Sequence, residues 1–147
     1  MRLARSIRPA LIIAGVLGVF ALLPRDAGDP LPSPEQPAIA AIRTIHTAQT
    51  QYYSQFNRYA TSLAQLGPPA SGTANPFAAD LIGADLANGR YQGYIFTVTG
   101  SESGYIVQAV PEVFNTGRGR AFYSDQTMVL HEHYGPGPAS AQDPESR

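Results

Sequence analysis

Hydrophobic and polar positions change their spacing several times along this chain, and each change marks an element. Residues 9–23 are uncharged and apolar, with Arg2, Arg5 and Arg8 ahead of them and Pro24, Arg25 and Asp26 behind. Beyond Pro37, Ile39, Ile42, Ile45, Gln49, Tyr52 and Phe56 recur at intervals of three and four, while Arg43, Thr44, Thr47, Gln51 and Gln55 occupy the other side. That period predicts an amphipathic helix of roughly 20 residues, about 30 Å long, with one face to bury and a single polar interruption at Gln49. Thr61 reads as the N-cap of a short turn through Leu66, closed by Gly67 and stopped by Pro68 and Pro69. A further helix is predicted from Asn75 as cap and Pro76 at its first position, with Phe77, Leu81 and Leu86 on one side and Asn88 and Gly89 as the stop. The period then falls to two. Tyr94, Phe96 and Val98 alternate with Ile95, Thr97 and Thr99; Gly-Ser-Glu-Ser-Gly turns the chain; Tyr105, Val107 and Ala109 alternate up to Pro111. A third strand is expected at Arg120–Ser124 and a fourth at Met128–His133, across a turn at Asp125–Thr127. The fold class predicted is α+β: an N-terminal hydrophobic anchor, then one long amphipathic helix packed on a four-stranded antiparallel sheet.

Composition adds a division of the chain. Residues 1–24 form a signal anchor or signal peptide, 25–36 a proline-rich spacer, 37–134 the α+β head domain, and 135–147 a tail with no apolar residue larger than Ala or Pro, expected to be disordered. As a helix the apolar run spans roughly 22 Å against a hydrocarbon core of ~30 Å, which an anchor meets with snorkelling flanks or local thinning. Val19 and Ala21 also supply the small residues a signal peptidase accepts before Leu22. Anchor and cleaved signal both stay open. In either case the arginines remain cytoplasmic and the domain crosses the membrane, giving a bacterial inner-membrane, single-pass protein with its head in the periplasm, or a secreted one if the signal is removed. The absence of cysteine excludes disulfides, thiolate metal sites and thiol catalysis. Every basic residue is Arg, the net charge is −1, and no basic face suited to nucleic acid is visible.

Candidate chemistry is sparse. His131 and His133, two apart on a strand, share a face and would suit a zinc or nickel ion, but His46 lies on the helix and completes no set; a solvent-facing pair is the favoured reading, and no metal or cofactor is expected. Arg118, Arg120 and Asp125 flank the third strand, where an Arg120–Asp125 pair or solvated charges are favoured over an anion site on the glycine-rich Thr-Gly-Arg-Gly-Arg loop. No serine, histidine and aspartate set and no apolar carboxylate pair suggests a reaction, so no catalytic, cofactor-binding or metal residue is assigned and the protein is expected not to be an enzyme.

The order of these segments carries a resemblance. The helix "AIRTIHTAQTQYYSQFNRYATSLAQLG", followed by "DLIGADLANGRYQGYIF", "GYIVQAVP" and "GRAFYSDQ", resembles the head of type IV pilin-like and pseudopilin-like proteins over about residues 38–130. The resemblance implies a non-enzymatic structural or assembly role at the cell envelope, in a pilus or a type II secretion-like system, with the inner membrane and other pilin, pseudopilin or envelope proteins as partners. Prepilins carry a Gly-Phe cleavage site and an acid within the hydrophobic segment. Here no Gly-Phe pair occurs, residues 9–23 contain no acid, and the spacer parts that segment from the head. The arrangement implied is a pilin-type head on a simple anchor, and the alternative is a tethered binding or sensor module that forms no filament.

Overall fold

The computed structural model describes residues 35–114 and 119–147. The apolar run, residues 25–34 of the proline-rich spacer and Arg118 lie outside the described residues; Glu35 and Gln36, expected in the spacer, belong to the first helix instead. Helix α1, Glu35–Phe56, begins ahead of Pro37 and buries Ala38, Ala41, Ile42, Ile45, Ala48 and Tyr52. Small alanines interleaved with isoleucines let the helix lie close to the strands, and Ile39 and Phe56 pack at its margins. The helix ends because Asn57 turns left-handed (φ 53°) and returns its N–H to the Tyr53 carbonyl at 2.8 Å, the geometry of a C-terminal αL cap.

Gln49, the polar residue in the apolar stripe, is fully buried for a reason. Its side-chain nitrogen donates to the Ala60 carbonyl at 3.0 Å and its side-chain oxygen accepts from the Ala60 N–H at 2.9 Å. One side chain thus serves both backbone groups of the segment that returns from α1, much as a neighbouring strand would. The two tyrosines that follow divide their work. Tyr52 is buried and its hydroxyl donates to the Pro76 carbonyl at 2.6 Å, whereas Tyr53 is exposed and packs on Tyr59 with ring centroids 4.8 Å apart. The hook is a single turn, α2, Leu63–Leu66. Its cap position is Ser62, which makes no side-chain cap bond; Thr61 instead gives its N–H to Gln65 Oε1 at 2.9 Å.

The helix expected from Asn75 does not form. Asn75 accepts the Phe77 N–H in a local turn, and the N–H groups of Ala79, Asp80, Leu81 and Ile82 are committed to the carbonyls of Gln65, Gly67 and Leu66. Those amides satisfy the end of α2 and have none left for a helix of their own. Only one turn remains, α3, Ala84–Ala87, which stops at Asn88 and a left-handed Gly89.

The sheet has five antiparallel strands in sequential order, β1 Arg90–Tyr91, β2 Tyr94–Gly100, β3 Tyr105–Pro111, β4 Arg120–Asp125 and β5 Leu130–Tyr134. The four-stranded expectation is therefore corrected. The added strand is made by Gln92 and Gly93, both at positive φ (52° and 79°), which form a two-residue hairpin loop pairing Tyr91 with Tyr94. The anchor expected over residues 1–24 lies outside the described residues, among which no helix is long and apolar enough to cross a membrane. Tyr94, Phe96 and Val98 on β2, Tyr105, Val107 and Ala109 on β3, and Phe122 and Ser124 on β4 are buried on the side that meets α1. The start of β5 also shifts. Met128, expected as the first strand residue, is exposed in a left-handed conformation (φ 63°) after the Asp125 turn, and pairing begins at Leu130.

The tail departs most from expectation. Residues after Tyr134 fold back along β5: Glu132 donates its N–H to the Pro144 carbonyl at 2.9 Å and Ser146 its own to the Leu130 carbonyl at 2.8 Å. Gln108 donates to the Ala139 carbonyl at 3.0 Å, and Ala139 and Ala121 are both buried outside the main core. The segment lacks large apolar side chains, yet it pairs with the edge strand and covers part of the outer sheet face.

Candidate functional site

The residue types that most often carry out chemistry meet in one place, between α1 and the sheet. His46 is buried, its Nδ1 lies 2.6 Å from the Tyr105 hydroxyl and its Nε2 2.9 Å from Ser124 Oγ. Ser124 Oγ in turn donates to the Val129 carbonyl at 2.8 Å. Proton positions follow from counting donors. A carbonyl only accepts, so the serine proton points to Val129; Ser124 Oγ then accepts from His46 Nε2–H, and the bare Nδ1 accepts from Tyr105 O–H. The relay runs one way and ends on the backbone. His46 donates a hydrogen bond to the serine rather than accepting one from it, so in this arrangement the ring does not act as a base on Ser124.

Electrostatics hold the relay in that state. Burial pushes His46 below its ordinary value, with Asp125 opposing in part, so the ring stays neutral. Burial, with smaller contributions from Tyr59 and Asp125, pushes Tyr105 up to about 12, so the phenol keeps its proton. The Tyr59 ring packs on Tyr105 at 4.9 Å and completes the wall. The chain reading placed His46 on the helix without a partner. Its partners come from β3 and β4, and only the sheet register, which sets Val107 against Ser124, brings them under the helix.

A second cluster ties the start of α1 to the sheet. Arg120 donates to Glu132 Oε2 at 2.6 Å and to Glu35 Oε2 at 2.5 Å, while its guanidinium lies over the Phe122 and Tyr134 rings, 5.7 Å from each centroid. The expected Arg120–Asp125 pair is not made; Asp125 accepts from the Thr127 backbone and hydroxyl instead. Alternation explains this, since Arg120 and Glu132 lie on the helix side of the sheet and Asp125 on the other. The hydrogen bond to Glu35 raises the Arg120 pKa further, so the charge is permanent. Nearby, burial first and then Glu35 push Tyr94 up to about 12, with Arg120 opposing.

His131 and His133 stand on the outer face of β5, where the tail meets them. His131 Nδ1 lies 2.7 Å from the Asp143 backbone oxygen and His133 Nδ1 lies 3.0 Å from Asp143 Oδ1. The His133 hydrogen bond, with others from Ser140, holds the Asp143 carboxyl below its ordinary range. Asp143 was not foreseen as their partner, because its approach depends on the tail turning back.

The surface carries shallow grooves. One of about 510 Å³ is lined by Arg43, His46, Thr47, Thr50, Gln51 and Met128; another of about 380 Å³ lies at the end of the β2–β3 hairpin beside Tyr123 and Asp125. The first reaches His46, but both ring nitrogens there are already engaged. Among the described residues no buried side-chain nitrogen or oxygen lacks a hydrogen-bond partner. Comparison with known proteins gives no match to a family model, to a curated protein or to a solved structure.

Proposed function

We propose that the protein is a non-enzymatic structural or assembly subunit of the bacterial cell envelope, held at the inner membrane by its N-terminal segment and working on the periplasmic side with a pilus or a type II secretion-like system. The observation that carries the non-enzymatic part is the closed His46 relay, in which each hydrogen-bonding group is used and the last donor ends on a backbone carbonyl. A catalytic site needs a group left free to act on a substrate. The arginines ahead of an apolar run support envelope attachment, and the resemblance of the segment order to pilin-type heads supports an assembly role.

The test is deletion of the chain followed by shearing of surface filaments. The reading expects the protein in the sheared fraction and filaments or secretion lost in the deletion strain. A second reading, a tethered binding module, is favoured by the acid-free apolar run and the absence of a Gly-Phe pair. It expects the protein only in the membrane fraction, with filaments unchanged. Recovery in the cytosol, unattached to membrane, would sink both.

A further inference from the structure

The tail changes what the two outer histidines can do. His131 and His133 lie on one face of β5, about 6.7 Å apart along the strand. Each Nδ1 faces an oxygen of Asp143 that only accepts: the backbone carbonyl for His131, the carboxylate for His133. Both Nδ1 atoms must therefore carry a proton, and in the neutral rings both lone pairs are left on Nε2. Both side chains are partly exposed. One ring nitrogen held by a carbonyl or carboxylate, with the other left bare, is the arrangement that orients imidazoles as metal ligands.

A third donor lies close by. Glu145 is in register with His131, and the backbone bonds Glu132 to Pro144 and Ser146 to Leu130 bracket that pair. It is therefore a non-hydrogen-bonded antiparallel pair, with Cα atoms about 4.5 Å apart and side chains on the same face. No three such side chains already form a cage among the described residues. The donors on this face are therefore the two imidazoles, with Glu145 beside His131.

We propose that His131 and His133 bind a divalent transition ion, Zn²⁺ or Ni²⁺, through Nε2, and that the bound ion fastens the C-terminal strap through Asp143. Imidazole nitrogen suits these ions and not Ca²⁺ or Mg²⁺, which take oxygen. Binding at Nε2 draws electron density from the ring and makes each Nδ1–H a stronger donor to Asp143. Strap and ion then support each other.

The test is calorimetric titration of the untagged full chain in detergent with ZnCl₂. One ion per chain should bind in the micromolar range, and His131→Gln with His133→Gln should abolish binding while the far-UV circular dichroism stays unchanged. Asp143→Ala keeps both ligands and should weaken binding about tenfold, the low end of the effect of losing an outer-shell partner. Zn²⁺ should also slow carboxypeptidase trimming of the wild-type chain. Absence of bound metal at tens of micromolar free Zn²⁺, binding that survives the double Gln variant, or an equal response to Mg²⁺ would overturn the site. Unchanged affinity in Asp143→Ala would overturn the link to the strap.

Discussion

Gln49 offers the sharpest perturbation. Its amide is the partner of both backbone groups of Ala60, and both residues are fully buried. Gln49→Met keeps the length and approximate volume of the side chain but removes its donor and its acceptor. Two buried backbone groups are then left without partners, and each such loss costs roughly 1–3 kcal/mol. Some relaxation of the segment after α1 will recover part of that, so we expect a destabilisation of about 2–4 kcal/mol. Gln49→Ala should cost about 1 kcal/mol more, because it also vacates buried volume. Against a total stability of roughly 5–15 kcal/mol these are large fractions. The assay is equilibrium urea unfolding of the intact chain in non-ionic detergent, followed by circular dichroism, with the midpoint compared at unchanged slope. A Gln49→Met protein within about 0.5 kcal/mol of wild type would refute the reasoning, since a net cost that small is expected only where the groups can reach water.

Other outcomes follow from the same contacts. The His46 pKa is lowered in the folded state, so below about 6.5 the unfolded chain takes up a proton that the folded chain refuses. The stability associated with His46 should be fully present above that pH and be lost as pH falls towards the folded value; urea midpoints between pH 7 and 5 should drop, and less steeply in His46→Asn. Arg120→Ala leaves Glu35 and Glu132 facing each other, mostly buried, and should cost about 2–4 kcal/mol by thermal or urea unfolding; Arg120→Lys should recover only part, because a single ammonium cannot fork to both carboxylates. Gly100→Ala drives a new Cβ into the Ala60 carbonyl and should destabilise by about 1–3 kcal/mol, while the same change at the open position Gly83 should be close to neutral.

The periodic parts of the fold were legible in the chain because a single face decides them. The three-and-four spacing from Ile39 to Phe56 and the alternation from Tyr94 to Val110 each mark one buried side, and the structure places α1, β2 and β3 there. What the chain could not reveal depends on partners far away in sequence. The stretch from Asn75 has caps and an apolar pattern that suit a helix, but α2 takes its amides. The tail looks too polar to pack, yet it is held by backbone pairing, Asp143 and a single buried alanine rather than by a core. β1 was readable in principle: Gln92-Gly93 between aromatic residues is a two-residue hairpin signal hidden behind the longer strands. Likewise Gln49 looked like an interruption of the stripe, although a lone amide on an apolar face implies a buried backbone partner.

The non-catalytic reading of the His46 cluster depends most on where one proton sits. Long-range ¹⁵N–¹H NMR of the uniformly ¹⁵N-labelled chain at pH 7 reports the tautomer of that ring directly. The account predicts a proton on Nε2 and a bare Nδ1, with the ring neutral and slow to exchange. A proton on Nδ1, leaving Nε2 free to accept from Ser124, would contradict it.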